Sequence, residues 1–291
     1  MKSSTGLLLS CALVSLAIVR ANDAPAAPIF SDTFEWGTAG ANIGAPWGKN
    51  DITVSTYRSN TAGSPFPTGA LHADLTDPGT GTNPSQAVRL MSHGNTTDTP
   101  TANPLISGQV TTYSFDFWEP TRAGDINSLV IGYYRQQANV DLNSGGRNYS
   151  SLLHDGLLSP QSLVAGSGAA TSYPLETVNT LFMMANDSAA AVVDYAGTGR
   201  TLAATTADVW ISKGGAAPVF AFSVSKQNPA STAVYGVGFR TNNADIERFF
   251  VDNVLVAGGA TFDRTIPEPA TLALLSTISW AACGMTRRRR V

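Results

Sequence analysis

Period-two alternation is the feature that most restricts what this chain can fold into. Val110–Trp118 reads VTTYSFDFW, with Tyr113, Phe115 and Phe117 on one face and Ser114, Asp116 and Trp118 on the other. Shorter runs of strand character recur at Ile29–Glu35, Ile52–Tyr57, Ala70–Leu75, Ala87–Met91, Asn127–Tyr134, Thr180–Met184, Ala190–Tyr195, Val209–Ser212, Val219–Val224, Val234–Arg240 and Phe249–Val256. Gly, Pro, Asn and Asp punctuate them, as strand boundaries require. No stretch holds a capped helical period for more than two turns, Tyr149–Leu158 coming nearest to one. About a dozen strands cannot share one sheet and call for two packed layers. The expected fold class is therefore all-β, a single antiparallel β-sandwich over residues 22–265. Three long polar insertions, 76–85, 94–104 and 139–173, read as loops on that scaffold.

Composition narrows the function classes. Residues 22–265 hold 12 basic and 20 acidic side chains, a formal charge of −8. A body that acidic lacks the Lys and Arg clusters a phosphate backbone requires, so nucleic acid is not an expected partner. Both cysteines, Cys11 and Cys283, lie outside the body. Disulfides, cysteine nucleophiles and cysteine metal sites are thus excluded from it, and its core alone must hold it together.

The two ends differ from the body. Met1–Ala21 carries Lys2, an apolar run from Gly6 to Val19, and Val19-Arg20-Ala21 where a signal peptidase reads small residues. It is read as a signal peptide cleaved after Ala21, with an uncleaved anchor as the alternative. Cys11 has too short an apolar run before it for a lipoprotein signal. At the other end, Ile266-Pro267-Glu268-Pro269 precedes the apolar stretch Ala270–Met285, and Arg287, Arg288, Arg289 and Arg290 follow. Sixteen helical residues reach about 24 Å, short of a hydrocarbon core of about 30 Å, so this transmembrane helix is a weak anchor. The arginines favour the cytoplasmic side and leave the body outside.

Pro-Glu-Pro, a short apolar helix and a terminal arginine cluster together resemble the PEP-CTERM sorting signal of Gram-negative bacteria. The resemblance covers residues 266–291. It implies recognition by an exosortase, processing near Pro267–Pro269, a transient stay in the inner membrane, and release to the cell surface or extracellular matrix. Signal peptidase and an exosortase-type protease are then the expected partners. An ordinary tail anchor is the alternative.

The body resembles concanavalin A-like jelly rolls and carbohydrate-binding modules in the order FSDTFEWGTAG, YSFDFW, NTLFMMAND and FFVDNVLVAG. The resemblance implies a lectin-like sandwich whose first and last strands pair, bringing Asp32 and Glu35 near Asp252. Those three carboxylates are the candidate ligands of a structural calcium ion, with a strand bulge or turn at Asp252-Asn253 as the plainer alternative. Trp36, Trp47, Trp118 and Tyr133 are candidate stacking surfaces for an extracellular polysaccharide, with Tyr134 and Trp210 also considered. Trp210 and at least one of Tyr133 and Tyr134 are expected to point inward.

Catalysis finds little support. Glycoside hydrolysis needs two carboxylates facing one cleft, and Asp116 and Glu119 at i, i+3 fall on opposite strand faces. His72, His93 and His154 are scattered, and no phosphate loop is present. The expected function is a non-catalytic, glycan-associated surface or matrix protein. The alternatives are a purely structural matrix protein and a glycan-active enzyme on a jelly-roll fold.

Overall fold

A computed structural model describes residues 28–35, 37–39, 47–50, 56–59, 66, 71–75, 89–92, 108–121, 128–134, 147–161, 170–227, 234, 236–241 and 249–264. Residues Pro28–Arg264 form one compact unit. Its strands begin with β1 (Pro28–Asp32), β2 (Trp47–Asn50), β3 (Thr56–Ser59), β4 (Leu71–Asp74), β5 (Arg89–Ser92), β6 (Val110–Trp118) and β7 (Ser128–Tyr134). They continue with β8 (Arg147–His154), β9 (Leu157–Pro160), β10 (Thr171–Ser172), β11 (Asn179–Asn186), β12 (Val192–Val193) and β13 (Thr201–Leu202). The last four are β14 (Thr206–Lys213), β15 (Val219–Ser225), β16 (Gly236–Thr241) and β17 (Phe250–Gly258).

Two large antiparallel sheets result, beside a two-stranded one of β12 and β13. One runs β15-β14-β11-β6-β17-β4-β3, with β1 also on β17, and the other runs β10-β9-β8-β7-β16-β5-β2. The first and last strands pair, with Ser31 opposite Leu255 and Asp32 opposite Val254. The all-β expectation holds: among the described residues the only helical turn is the 3-10 segment Tyr195–Gly197. None of their helices is long and apolar enough to cross a membrane. The segments 1–21 and 266–291 lie outside the described residues, as do the insertions 76–85 and 94–104.

The core is made by the alternation visible in the sequence. Tyr113, Phe115 and Phe117 of β6 face inward beside Leu181, Met183 and Ala185 of β11 and Val209 and Ile211 of β14. Leu129, Ile131 and Tyr133 of β7, Leu153 of β8 and Phe239 of β16 meet them from the other sheet. Phe239 stands edge-on to Phe115 with ring centroids 4.8 Å apart. Burying each such side chain is worth about 1.5–3 kcal/mol, which is how a cysteine-free domain is held together.

β17 cannot keep strict alternation. Its register with β6 passes from Asp252↔Asp116 to Leu255↔Ser114, so Asn253 and Val254 together oppose the single residue Phe115. That bulge re-phases the strand: Val251 faces the core before it, Val254 and Val256 after it. Asn253 sits at φ 51°, a left-handed conformation asparagine tolerates better than most residues. The bulge reading of Asp252-Asn253 is correct.

Two readings change. Tyr149–Leu158, the run nearest to a helical period, is instead most of β8, a two-residue turn and the start of β9, with His154 paired to Leu157. Asp155 and Gly156 are the turn's two central residues, at φ 45° and 74°, the sign a type I′ turn requires. Part of the 139–173 insertion is therefore sheet. Trp210 is buried but faces away from the inter-sheet core. It joins Phe182, Met184, Tyr195 and Leu202 in a second cluster on the outer face of the eight-stranded sheet. The excursion 187–205 supplies Val192, Tyr195 and Leu202, and the segment after β17 supplies Ala260 and Phe262.

Candidate functional site

The candidate residues gather most densely where β6, β11 and β17 run side by side, on the outer face. Asp116 projects there because Phe115 and Phe117 take the inner face. Thr180 donates its hydroxyl to Asp116 Oδ1 at 2.6 Å, and the Asn253 side-chain amide donates to Oδ2 at 2.9 Å. Arg264 Nη1 also bonds Asp116 Oδ1, and its Nη2 donates to the Asn253 carbonyl at 2.5 Å. The bulge is what turns Asn253 toward Asp116, so one irregularity of β17 supplies both the carbonyl and the amide of this network.

Asp252, opposite Asp116 in the ladder, is buried. Burial pushes its carboxyl up to about 8, and the charges of Asp116 and Glu35 add to the rise. The Asn253 N–H, 2.7 Å from Oδ1, and the Arg264 charge pull the other way without prevailing. Asp252 is therefore mainly a neutral acid at pH 7. Asp32 is buried on the neighbouring strand and accepts the Phe34 N–H at 2.7 Å, while Glu35 is exposed. Strand pairing thus brings this end of β1 to β17 as expected. Among the described residues no group of three or more His, Cys, Asp or Glu is placed to hold a metal ion.

The aromatic candidates separate. Trp36 lies outside the described residues, and Trp47 is described only as the first residue of β2. Tyr133 is fully buried between the sheets, its hydroxyl 3.3 Å from both Thr111 Oγ1 and the Met183 carbonyl. Burial pushes that hydroxyl's pKa far up, and no sugar could stack on its ring without opening the core. Tyr133 is therefore withdrawn as a stacking surface. Trp118 stays half-buried on the outer face, its ring tilted against Phe250 at 5.2 Å.

The carboxylates nearest to a catalytic arrangement are committed elsewhere. Asp116 is held as above. Glu119 is buried, with Oε2 accepting the Tyr173 hydroxyl at 2.5 Å and the Gly156 N–H at 3.3 Å, so it fastens the β8–β9 turn. Two further groups escaped the sequence reading. Lys226 Nζ pairs with Asp187 Oδ1 at 2.5 Å, both side chains almost wholly buried, and Tyr149 donates its hydroxyl to the same oxygen at 3.2 Å. Asp208 accepts from Ser223 at 2.5 Å, from Arg200 Nε at 3.2 Å and from the Tyr195 hydroxyl. Trp210 Nε1 donates to Tyr195 Oη at 3.1 Å, tying the outer aromatic cluster to this carboxylate. Asp-Val-Trp in β14 hinted at the last group only in placing Asp208 and Trp210 on one face. Chemically, these arrangements hold strands and excursions in place.

No protein-family profile matches the chain. No curated protein is significantly similar to it in sequence. Among solved structures it is similar to a GH131 β-glucanase catalytic domain from Podospora anserina, at 13% identity and a TM-score of 0.45, covering 81% of this chain and 95% of that one. Lectin II from Ulex europaeus matches at 9% identity and a TM-score of 0.38, over 76% of this chain and all of that one. A carbohydrate-binding module from Bacillus subtilis matches at 10% identity and a TM-score of 0.36, over 70% and 92%. At such scores these likenesses assign the chain neither a family nor an activity.

Proposed function

We propose that this chain is an exported, non-catalytic surface or matrix protein, sorted through its C-terminal tail and associated with extracellular polysaccharide through the outer face of its sandwich. The tail carries the reading. Pro267-Glu268-Pro269, a weak apolar span and Arg287–Arg290 together suit a segment that stops transfer and is then removed. In this reading the signal peptide ends at Ala21, and an exosortase-type protease cuts near Pro267–Pro269. Intact-mass measurement of surface-extracted protein tests it. The mature species is expected to lack both 1–21 and the terminal arginines, and replacing Glu268 should block the second step. A mature chain still carrying Arg287–Arg290 would turn the tail into a permanent anchor.

Non-catalytic action is supported by the commitment of Asp116, Glu119, Asp187 and Asp208 to scaffold bonds. Glycan association rests on Trp118, the aromatic candidate whose described side chain is partly open. Trp118→Ala should reduce co-sedimentation with the host's exopolymer at least several-fold while the β circular dichroism of the folded domain is retained. Retention of full binding by this variant would favour a purely structural matrix role.

A further inference from the structure

The last described stretch of the chain runs back over the sandwich rather than away from it. β17 ends at Gly258, and residues 259–264 then lie along the outer face of the eight-stranded sheet. Gly259 donates its N–H to the Val110 carbonyl at 2.8 Å, and its own carbonyl accepts the Thr112 hydroxyl at 2.9 Å. Thr261 donates its N–H to that hydroxyl at 3.0 Å. Phe262 places its ring edge-on to Phe182 and to Trp210, at centroid distances of 5.3 and 5.2 Å. Arg264 closes the segment through Asp116 and the Asn253 carbonyl, with its guanidinium 6.0 Å from the Phe182 ring. Both members of the Arg264–Asp116 pair are largely shielded from water.

Strand pairing explains little of this, since only the Gly259 N–H prolongs a ladder. The other contacts are a hydroxyl relay, an aromatic plug and a forked cation, three independent devices within six residues. They also come close to the tail motif in sequence: Arg264 stands only three residues before Pro267.

We infer that residues 259–264 form a clasp, with Arg264 as its positioning residue, which holds the chain to the sheet as far as Arg264 and confines processing to the stretch beyond it. The inference rests on the processing reading above. Three residues span at most about 11 Å, so a closed clasp keeps Pro267 within that distance of the Arg264 Cα. A protease that binds its substrate as an extended strand needs free backbone groups, and both of Gly259's and the N–H of Thr261 are already spent. Opening the clasp would lengthen the tether by six residues, about 20 Å, and expose new cleavage positions. It would also uncover Phe182 and Trp210.

Trypsin reads the clasp directly, because the Arg264–Thr265 bond and the terminal arginines are both trypsin sites. The full chain, folded in detergent, is digested briefly and followed by intact mass. The terminal arginines should go first, with cleavage after Arg264 at least ~10-fold slower, because cleavage tracks the population of the opened state. Asp116→Asn should speed the cut after Arg264 roughly tenfold with the β circular dichroism retained. Arg264→Lys keeps the charge without the fork and should fall between the two. Equal rates at Arg264 and Arg287 in the wild type would overturn the clasp, and so would an Asp116→Asn chain cut no faster. Should that variant fail to fold, hydrogen exchange in the wild type decides. Protected amides at Gly259 and Thr261 support the clasp, and free-peptide rates there refute it. None of these readouts needs a sorting protease. A mature species keeping Arg287–Arg290 in the host would defeat the processing reading alone, and wild-type C-termini upstream of Thr265 would defeat the clasp alone.

Discussion

β6 and β11 are hydrogen-bonded neighbours in the middle of one sheet, yet their outward faces are opposite in character. β6 presents Ser114 and Asp116 outward, whereas β11 presents Phe182 and Met184. Both bury the inward face against the second sheet. The difference lies in what covers the outer side: a polar network around Asp116, and an aromatic plug made by the chain's own excursion and closing segment around Phe182. An apolar outward face in the centre of a sheet therefore implies a cover, and here the cover comes from outside the strand, from Val192, Tyr195 and Leu202 of the excursion and from Phe262.

The largest test of that contrast compares the two sides of the sheet. Phe115→Ala opens a cavity between two rigid sheets and should cost about 3–5 kcal/mol. Phe182→Ala removes the same group beneath a short excursion and a six-residue closing segment, which can settle into the space. Its cost should be nearer the lower end, about 2–3 kcal/mol, because sites that collapse lose less. Denaturant unfolding of both variants measures this. Equal losses would mean that the outer cluster is packed as rigidly as the core.

What the sequence disclosed follows the same division. The inward faces were legible because period-two alternation depends on the strand alone: Tyr113, Phe115 and Phe117 fall where VTTYSFDFW puts them. The outward burial of Trp210 was not legible, since it depends on where 187–205 and 259–264 come to rest, a long-range outcome that no local period encodes. The Asp155-Gly156 turn was legible but masked by its setting. The run Tyr149-Ser-Ser-Leu-Leu-His carries apolar residues at a helix-compatible spacing, and the two-residue Asp-Gly signal had to outweigh it. At the candidate site, the β1–β17 pairing implied by the resemblance brought Asp32 and Asp252 onto adjacent strands. The arginine that neutralises this end, Arg264, lies twelve residues beyond Asp252, and no motif links them.

Acid–base behaviour should sharpen the polar side of the comparison. Asp252 titrates near 3.8 when unfolded and near 8 in the folded chain. Between those values the folded state holds a proton that the unfolded state has lost, so this group makes stability fall as pH rises from about 4 to about 8. Below and above that window its contribution is flat. The slope it can supply is at most ~1.4 kcal/mol per pH unit, tempered by Asp116, Glu35 and Arg264 around it. Asp252→Asn should remove this part of the slope, leaving melting temperature less dependent on pH between 5 and 8. An unchanged slope would show that the carboxyl is more open than its burial indicates.

The smallest expected effects concern how the excursion is fastened over the aromatic plug. Tyr195 donates to Asp208 and accepts from Trp210 Nε1, so Tyr195→Phe strips two bonds while keeping the ring and its edge-on contact with Trp210. Asp208 keeps Ser223 and Arg200, but the indole N–H loses its acceptor in a buried place. The cost should be about 1–2 kcal/mol, mostly the stranded indole donor. Arg200→Ala touches the same carboxylate from a side chain more than a third exposed, where solvent weakens the pair, and should cost under ~1 kcal/mol. Part of that loss would come from the guanidinium stacked 3.4 Å over the Phe220 ring rather than from the ion pair. Raising the salt concentration separates the two contributions, since screening weakens the charge pair more than it weakens the stacked contact. If Arg200→Ala proved the more damaging variant, the excursion would be held from its exposed rim, and the comparison between a rigid inner face and a locally fastened outer one would have to be redrawn.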